Sequence, residues 1–294
     1  MKARLRSSPA FLRWFAEKRS YLRRLPYWLL SHLKASDKSL VHFQCNVCSN
    51  RTSSPREKLR REMWSCLHCG STVRFRSIIH ALSTELFGES LPLAEFHHRA
   101  DLVGVGLSDW TGYADRLGVR LGYTNTYFHK EPFLDIASTG PAPTGRYDFI
   151  IASEVFEHVC QPISRAFENA YRLLKPAGFM IFTVPYLDGQ TREHFPDVCR
   201  FSLEKDGEEW IVIGQTPDGQ IERFTQPVFH GGQGTTVECR VFGKDALLQD
   251  CRDAGFELAR IHSEDVERFG IYWDPQHPEE TPPWALLKRA RDCS

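Results

Sequence analysis

The clearest alternation of apolar and polar positions lies between Tyr147 and Tyr186. Tyr147-Asp148-Phe149-Ile150-Ile151-Ala152-Ser153 is a short apolar run rich in β-formers that turns polar at Ser153 and Glu154, where a buried strand would end. After Pro162, the residues Ile163, Ala166, Phe167, Ala170, Leu173 and Leu174 recur at helical spacing, and Lys175-Pro176-Ala177-Gly178 closes the helix. Phe179 to Val184 is a second unbroken apolar run, stopped by Pro185. Together they predict two parallel strands joined by a crossover helix.

The same rhythm extends upstream. Residues 74–87 predict a helix with Phe75, Ile78, Ile79, Leu82 and Leu86 on one face and Gly88 at its stop. Residues 100–108 predict a strand and a glycine turn at Gly104 and Gly106, with Ser108 capping a helix whose apolar face is Trp110, Tyr113, Ala114 and Leu117. A strand follows over 120–127. Downstream the rhythm breaks: residues 188–197 are polar, and 211–234 predict an inserted hairpin turning at Thr216-Pro217-Asp218-Gly219. Residues 235–242 predict a strand, 244–254 a helix stopped by Gly255, and 256–261 a final strand. From Asp274 onward Pro275, Pro278, Pro282 and Pro283 mark an extended tail.

The charge balance changes the picture of partners. The net charge of zero conceals a division: residues 1–80 hold 17 Lys and Arg against 4 Asp and Glu, and residues 81–294 hold 20 against 33. A basic amino-terminal part suits an anionic partner such as RNA, an acidic glycan or a membrane face, and equally suits neutralising the acidic part beside it. Residues 1–36 alternate basic side chains with Phe11, Trp14, Tyr21 and Trp28, giving either a helix packed on the domain or one lying on anionic lipid. No apolar run approaches the roughly 20 residues of a spanning helix.

Cysteine placement adds a metal. Of nine cysteines, four form Cys45-Asn46-Val47-Cys48 and Cys66-Leu67-His68-Cys69, separated by seventeen residues, and the others are scattered. Two thiolate pairs on tight knuckles close a tetrahedral zinc site, and with all four positions cysteine the site is structural. Gly70 supplies the permissive backbone of the second knuckle. Free thiols in such numbers suit a reducing compartment, the cytoplasm. The basic loop between the pairs offers Arg51, Arg56, Lys58, Arg60 and Arg61 to phosphates, but few aromatics are interleaved to stack bases.

The run Tyr147 to Val159, then Leu173-Leu174-Lys175-Pro176-Ala177-Gly178-Phe179 and Thr183-Val184-Pro185-Tyr186, resembles the fourth and fifth strand regions of the S-adenosylmethionine-dependent methyltransferases with a Rossmann-like fold. The resemblance spans about the last two thirds of the chain as an ordered series of motifs. It implies an α/β fold, a doubly wound and mostly parallel sheet with an antiparallel last strand, preceded by a small zinc ribbon. The implied division is a basic amphipathic segment at 1–40, the ribbon at 41–73, a methyltransferase domain at 74–270 with a hairpin inserted near 205–234, and a Pro-rich tail at 271–294. It further implies S-adenosylmethionine as cofactor, with Gly104, Gly106 and Ser108 beside its methionine part and ribose, Asp135 and Ile136 at the adenine, and Ser153 near the sulfonium. Leu102 and Ser108 replace the acid and third glycine usual in the glycine motif, and Asn125 stands where an acid usually binds the ribose. By itself Gly-x-Gly is as well read as a tight turn, and Asp135 as a surface-loop carboxylate.

Glu154 at the strand tip and His194 in the next loop are the candidate bases; a capping glutamate and a structural histidine are the plainer readings. The strand tip reads Ser153-Glu154-Val155-Phe156, unlike the Asn-Pro-Pro-Tyr sequences of exocyclic-amine methylases, and no Pro-Cys pair accompanies it. An oxygen or simple amine of a small molecule or glycan remains as acceptor. RNA methylation guided by the ribbon, and a non-catalytic adaptor with a degenerate cofactor site, are the alternatives.

Overall fold

The computed structural model describes residues 40–138, 144–230, 232 and 234–289, so the basic segment over 1–39 lies outside the described residues. The chain opens with an antiparallel hairpin of β1 (Leu40–Gln44) and β2 (Arg51–Pro55) that carries the first cysteine knuckle. Helix α1 (Val73–Phe87) starts where the Thr72 hydroxyl accepts from the Phe75 N–H and ends at Gly88, whose φ of 75° few other residues tolerate. Strand β3 (Arg99–Leu107), helix α2 (Thr111–Arg120), β4 (Leu121–Thr126), β5 (Tyr147–Ser153), α3 (Ser164–Leu173) and β6 (Leu174–Thr183) follow. These four strands are mutually parallel in the order β6-β5-β3-β4.

Beyond them the chain makes short strands that pack beside the turn following β5. They are β7 (Tyr186–Leu187), β8 (Arg192–Glu193), a meander of β9 (Arg200–Asp206), β10 (Glu209–Gln215) and β11 (Ile221–Thr225), the pair β12 (Phe229–His230) and β13 (Thr236–Val237), and β14 (Arg240–Gly243) between β7 and β8. Phe195, Val198, Val212, Val237 and Cys239 give this lobe its own small core. The single strand expected over 235–242 is thus two, because Glu238 and Cys239 turn inward between them, and the Cys239 N–H is donated to the Glu157 carbonyl.

Helix α4 (Lys244–Ala254) ends at Gly255, φ 102°, and leads to β15 (Phe256–Ile261) and β16 (Trp284–Lys288). The antiparallel strand of the sheet is β16, lodged between β15 and β6 in the order β15-β16-β6. It lies in the stretch read from its prolines as an extended tail. Pro282 and Pro283 shape only the approach to it, and the five residues Trp-Ala-Leu-Leu-Lys behind them are apolar enough to be buried between two strands.

Both faces of the sheet are covered, which is why β5 and β6 read as unbroken apolar runs. Ile150, Ala152, Met180 and Phe182 meet Ala166, Phe167 and Ala170 of α3 and Leu247 and Cys251 of α4. On the opposite face Phe149, Ile151 and Ile181 meet Ile78, Ile79 and Leu82 of α1 and Tyr113 and Leu117 of α2. Phe43, Cys45, Val47, Leu59 and Cys66 belong to that second core, so the hairpin and its cysteines are continuous with the sheet domain. The architecture is a doubly wound α/β fold.

Candidate functional site

Parallel strands of such a fold end at one edge, and that edge is where side chains from distant segments converge. At the tip of β5, Glu154 adopts φ 56° and its N–H is donated to the Thr183 carbonyl at the tip of β6. Arg61, 5% exposed, donates from Nη2 to Glu154 Oε1 at 2.7 Å and from Nη1 to Oε2 at 3.2 Å, and from Nη1 to Glu62 at 2.5 Å. Arg74, from the first turn of α1, donates to both Glu62 oxygens at 2.7 and 2.9 Å and to the Ser153 hydroxyl at 2.7 Å. The Thr183 hydroxyl lies 2.9 Å from Ser153 Oγ and 3.0 Å from Glu154 Oε1. Burial alone would push the Glu154 carboxyl up; the Arg61 charge and hydrogen bonds outweigh it and hold the group at about 2. Glu154 is therefore a permanent anion that anchors Arg61, and a poor proton acceptor.

At the tip of β3 the two glycines make room for the protein's own side chains. A Cβ on Gly104 would lie 2.1 Å from the Phe149 ring, and one on Gly106 would strike the Tyr123 hydroxyl and the Asp109 carboxylate. Ser108 does not cap α2: it is exposed at φ 59°, and Trp110 occupies the cap position without a side-chain bond. Asp109 is buried instead. It accepts from the Tyr123 hydroxyl through Oδ2 while Oδ1 has no partner, and burial pushes its carboxyl up to about 7 against the pull of the two tyrosine hydroxyls. Asn125 is committed to the same turn. Its Oδ1 accepts from the Asp109 N–H at 2.9 Å, and its Nδ2 donates to the Asp109 carbonyl at 2.9 Å and to Tyr127 at 3.2 Å.

Beyond β4, Tyr127 bridges Phe133, and the Phe128 and Phe133 rings, 66% and 55% exposed, face one another with centroids 6.4 Å apart. Asp135 is half-buried and accepts from the Ala137 N–H at 2.9 Å, closing its own turn. Ile136 is buried, its carbonyl taken by Asn169 at 2.8 Å.

A second group adjoins the first, in the turn Phe156–His158 and the lobe behind it. His194 Nε2 lies 2.8 Å from Glu238 Oε1, and His230 Nε2 lies 2.7 Å from Glu238 Oε2. Burial acts to raise Glu238, but the two imidazole bonds bring it below its ordinary value, while the bond to Glu238 raises His230. Glu157 is fully buried, and burial, with the Glu154 charge behind it, pushes its carboxyl well above the usual range. Fully covered Arg240 fixes this turn, donating to the Phe156 and Val159 carbonyls and, at 2.8 Å, to Glu193. His194 bonds to Glu238 and, through its backbone N–H, to the Cys239 carbonyl, and makes no bond to Glu154.

The four paired cysteines also meet. Cys45 and Cys69 lie 3.7 Å apart at sulfur, as do Cys48 and Cys66, and all four sulfurs fall within 4.8 Å. A tetrahedron with metal–sulfur bonds of about 2.3 Å has edges of roughly 3.8 Å. Ser49 at φ 62° and Gly70 at φ 76° close the two knuckles, each N–H reaching the carbonyl of the first cysteine of its pair. Fully buried Arg76 donates to the Ser71 carbonyl and hydroxyl, the Ser65 hydroxyl and the Gly270 carbonyl, placing a positive charge behind the four sulfurs.

Three of the basic residues of this loop are engaged within the protein. Arg61 is spent on Glu154 and Glu62, Arg60 on Glu280 at 2.8 Å and Asp274 at 3.6 Å, and Arg56 stacks 4.0 Å over the Tyr272 ring. Nothing in the local sequence marks Arg61, Arg74, Asp109, Glu157 or His230 for this edge: Arg61 is one charge in a basic run, and Glu157-His158 sits inside the run Tyr147 to Val159 without a distinguishing spacing.

A family model described as a methyltransferase domain matches residues 88–261. Among solved structures, the chain is similar to a 1,6-didemethyltoxoflavin-N1-methyltransferase from Burkholderia thailandensis with bound 1,6-didemethyltoxoflavin and S-adenosylhomocysteine, at 13% identity over 73% of this chain and 79% of that one, TM-score 0.40. It is similar to the S-adenosylmethionine-bound amino pentose methyltransferase CalS10 from Micromonospora echinaspora, at 12% identity over 74% and 92%, TM-score 0.39. A third is the Haloferax volcanii complex of the Trm112 methyltransferase activator with a methyltransferase, at 16% identity over 74% and 92%, TM-score 0.39. No curated protein matches. No helix among the described residues is long and apolar enough to cross a membrane.

Proposed function

The chain belongs to the methyltransferase-domain family, and from that premise we propose that it transfers a methyl group from S-adenosylmethionine to an oxygen or simple amine of a small molecule or glycan, in the cytoplasm. The observation that carries the reading is the bond from Arg74 to the Ser153 hydroxyl at the tip of β5, beside the tip of β3 that leads into Ser108. Their chemistry fits the cofactor. Arg74 fits its carboxylate, Asp135 with Ile136 its adenine edge, Phe128 and Phe133 the faces of a purine, and exposed Ser108 its polar middle. The ribose lacks an acid, since the Asn125 amide is already bonded on both sides, so affinity is set by the other contacts.

When bound, S-adenosylmethionine supplies a methyl group on a sulfonium that leaves by in-line displacement, so alignment provides most of the rate. Ser153, held between Arg74 and Thr183, and the backbone of Glu154, held by Thr183, fix the floor of that alignment. The proton of a hydroxyl acceptor is taken by His194, which Glu238 orients. Glu154 keeps the ribbon seated and does not exchange protons near neutral pH. Cys45, Cys48, Cys66 and Cys69 would hold one structural zinc, which would keep Arg61 and Arg74 in register.

Calorimetry of the full chain with S-adenosylhomocysteine tests this. Binding is expected, weakened roughly tenfold by Arg74→Ala, the loss of about one charge-assisted hydrogen-bond pair. No binding at millimolar ligand would favour the adaptor, a reading to which the committed Asn125 lends weight.

A further inference from the structure

Three potential ligands meet where the lobe of short strands touches the turn after β5. Glu157 is 0% exposed, and neither of its carboxylate oxygens has a hydrogen-bond partner. His158 Nε2 lies 3.6 Å from Glu157 Oε1, and His230 Nδ1 lies 3.9 Å from the same oxygen. The two imidazoles stand at 85° with centroids 4.9 Å apart, and one ligand atom of each of the three residues falls within 4.8 Å of the others. The outward nitrogens are already used. His158 Nδ1 is 2.7 Å from the Val237 carbonyl, which can only accept, so its proton sits on Nδ1 and the lone pair on Nε2. His230 Nε2 is 2.7 Å from Glu238 Oε2, so with its proton there the lone pair of Nδ1 points to Glu157. Metal-ligating histidines are held in this way, with one nitrogen donating to a carbonyl or carboxylate and the other left for the ion.

We propose that Glu157, His158 and His230 bind one divalent transition-metal ion, distinct from the ion of the cysteine ribbon. An isolated buried carboxylate with no donor is costly, and an ion against it and two neutral imidazoles removes that cost. A distance of roughly 3.4 Å between ligand atoms is expected around a tetrahedral ion with bonds near 2.1 Å, so the two Glu157–imidazole distances need contract by only a few tenths of an ångström, while the imidazole nitrogens close from within 4.8 Å. Two nitrogens and one carboxylate oxygen leave coordination positions open. Zinc, iron, cobalt or manganese suits such a donor set better than magnesium, which prefers oxygen. Resting on the methyltransferase reading, the open positions are where an acceptor's hydroxyl or carboxylate oxygens would be held beside His194. The metal site itself does not depend on that reading.

Cobalt(II) titration of the zinc-bearing full chain, cleared of loosely held metal, tests the proposal, because the two sites differ in their spectra. Cobalt on thiolates gives an intense sulfur-to-metal charge-transfer band; cobalt on imidazole and carboxylate gives only weak visible bands. The expected result is one tightly held equivalent with the weak spectrum, lost in His230→Ala and in the isosteric Glu157→Gln, with unchanged circular dichroism in both. If Glu157→Gln fails to fold, His230→Ala, altered at a half-exposed strand end, still reads the site. Absence of that equivalent, a thiolate spectrum alone, or binding undiminished in folded His230→Ala would overturn the proposal. None of these readouts needs S-adenosylhomocysteine to bind, so failure here and failure of the methyltransferase reading are separable.

Discussion

Asp109 shows how one residue's surroundings set a pH dependence for the whole chain. Its carboxyl rises from an ordinary 3.8 to about 7 because burial disfavours the anion more than Tyr123 and Tyr113 favour it. The folded state therefore binds this proton more tightly than the unfolded chain. Stability from the group is fully present below 3.8 and is lost as pH rises through 7, by at most about 4 kcal/mol. Asp109→Asn keeps the shape and removes the titration. Urea unfolding at about pH 5 and about pH 8 should show the wild type losing stability relative to Asp109→Asn by a few kcal/mol; an unchanged difference would place the carboxylate in a less buried setting. Gly106 belongs to the same argument, since any Cβ there would displace the Tyr123 hydroxyl from Asp109.

Among the elements, β16 is the most exacting test. Trp284 is 1% exposed, pairs in register with Phe182 of β6 and Ile261 of β15, and donates from its indole nitrogen to the Tyr186 hydroxyl at 3.2 Å. Trp284→Ala is expected to cost about 3–5 kcal/mol, the loss typical of a large aromatic in a closed core. A change under about 1 kcal/mol in chemical denaturation would mean that the strand is peripheral. The prolines ahead of β16 explain why the composition of its surroundings pointed to a tail, while the strand is read only from five residues. Length is the limit there, because a run so short has no periodicity to distinguish it from a buried turn.

At the scale of the molecule, the ribbon and the sheet domain share one apolar core and one ring of charges, through Phe43, Val47 and Leu59 on α1 and through Arg61 on Glu154. They should unfold together. A strong chelator at neutral pH is expected to lower the midpoint of a single thermal transition, and a chain starting at Val73 is expected to aggregate, because the ribbon side of α1 would be bare. Two separate transitions, one insensitive to chelator, would show the two parts to be independent.

The sequence by itself determined what near neighbours decide. Apolar runs placed β3, β5 and β6, helical spacing placed α1, α3 and α4, and two Cys-x-x-Cys pairs located the four sulfurs that meet. It also carried the methyltransferase family, through motifs that lie within a few residues of each strand tip. Only the tertiary structure decided who shares the edge. Arg61 reaches Glu154 across 93 positions, and His158 meets His230 because the lobe between β6 and α4 folds back on the turn after β5. No spacing rule covers such separations, since loop lengths leave the pairing open until the sheet and the lobe are packed. The same packing drew Arg60 and Arg61, which look fit for phosphates, into ion pairs, and it lodged a tail-like stretch between two strands. In each case burial and a distant partner, set by the fold, override what the local sequence offers.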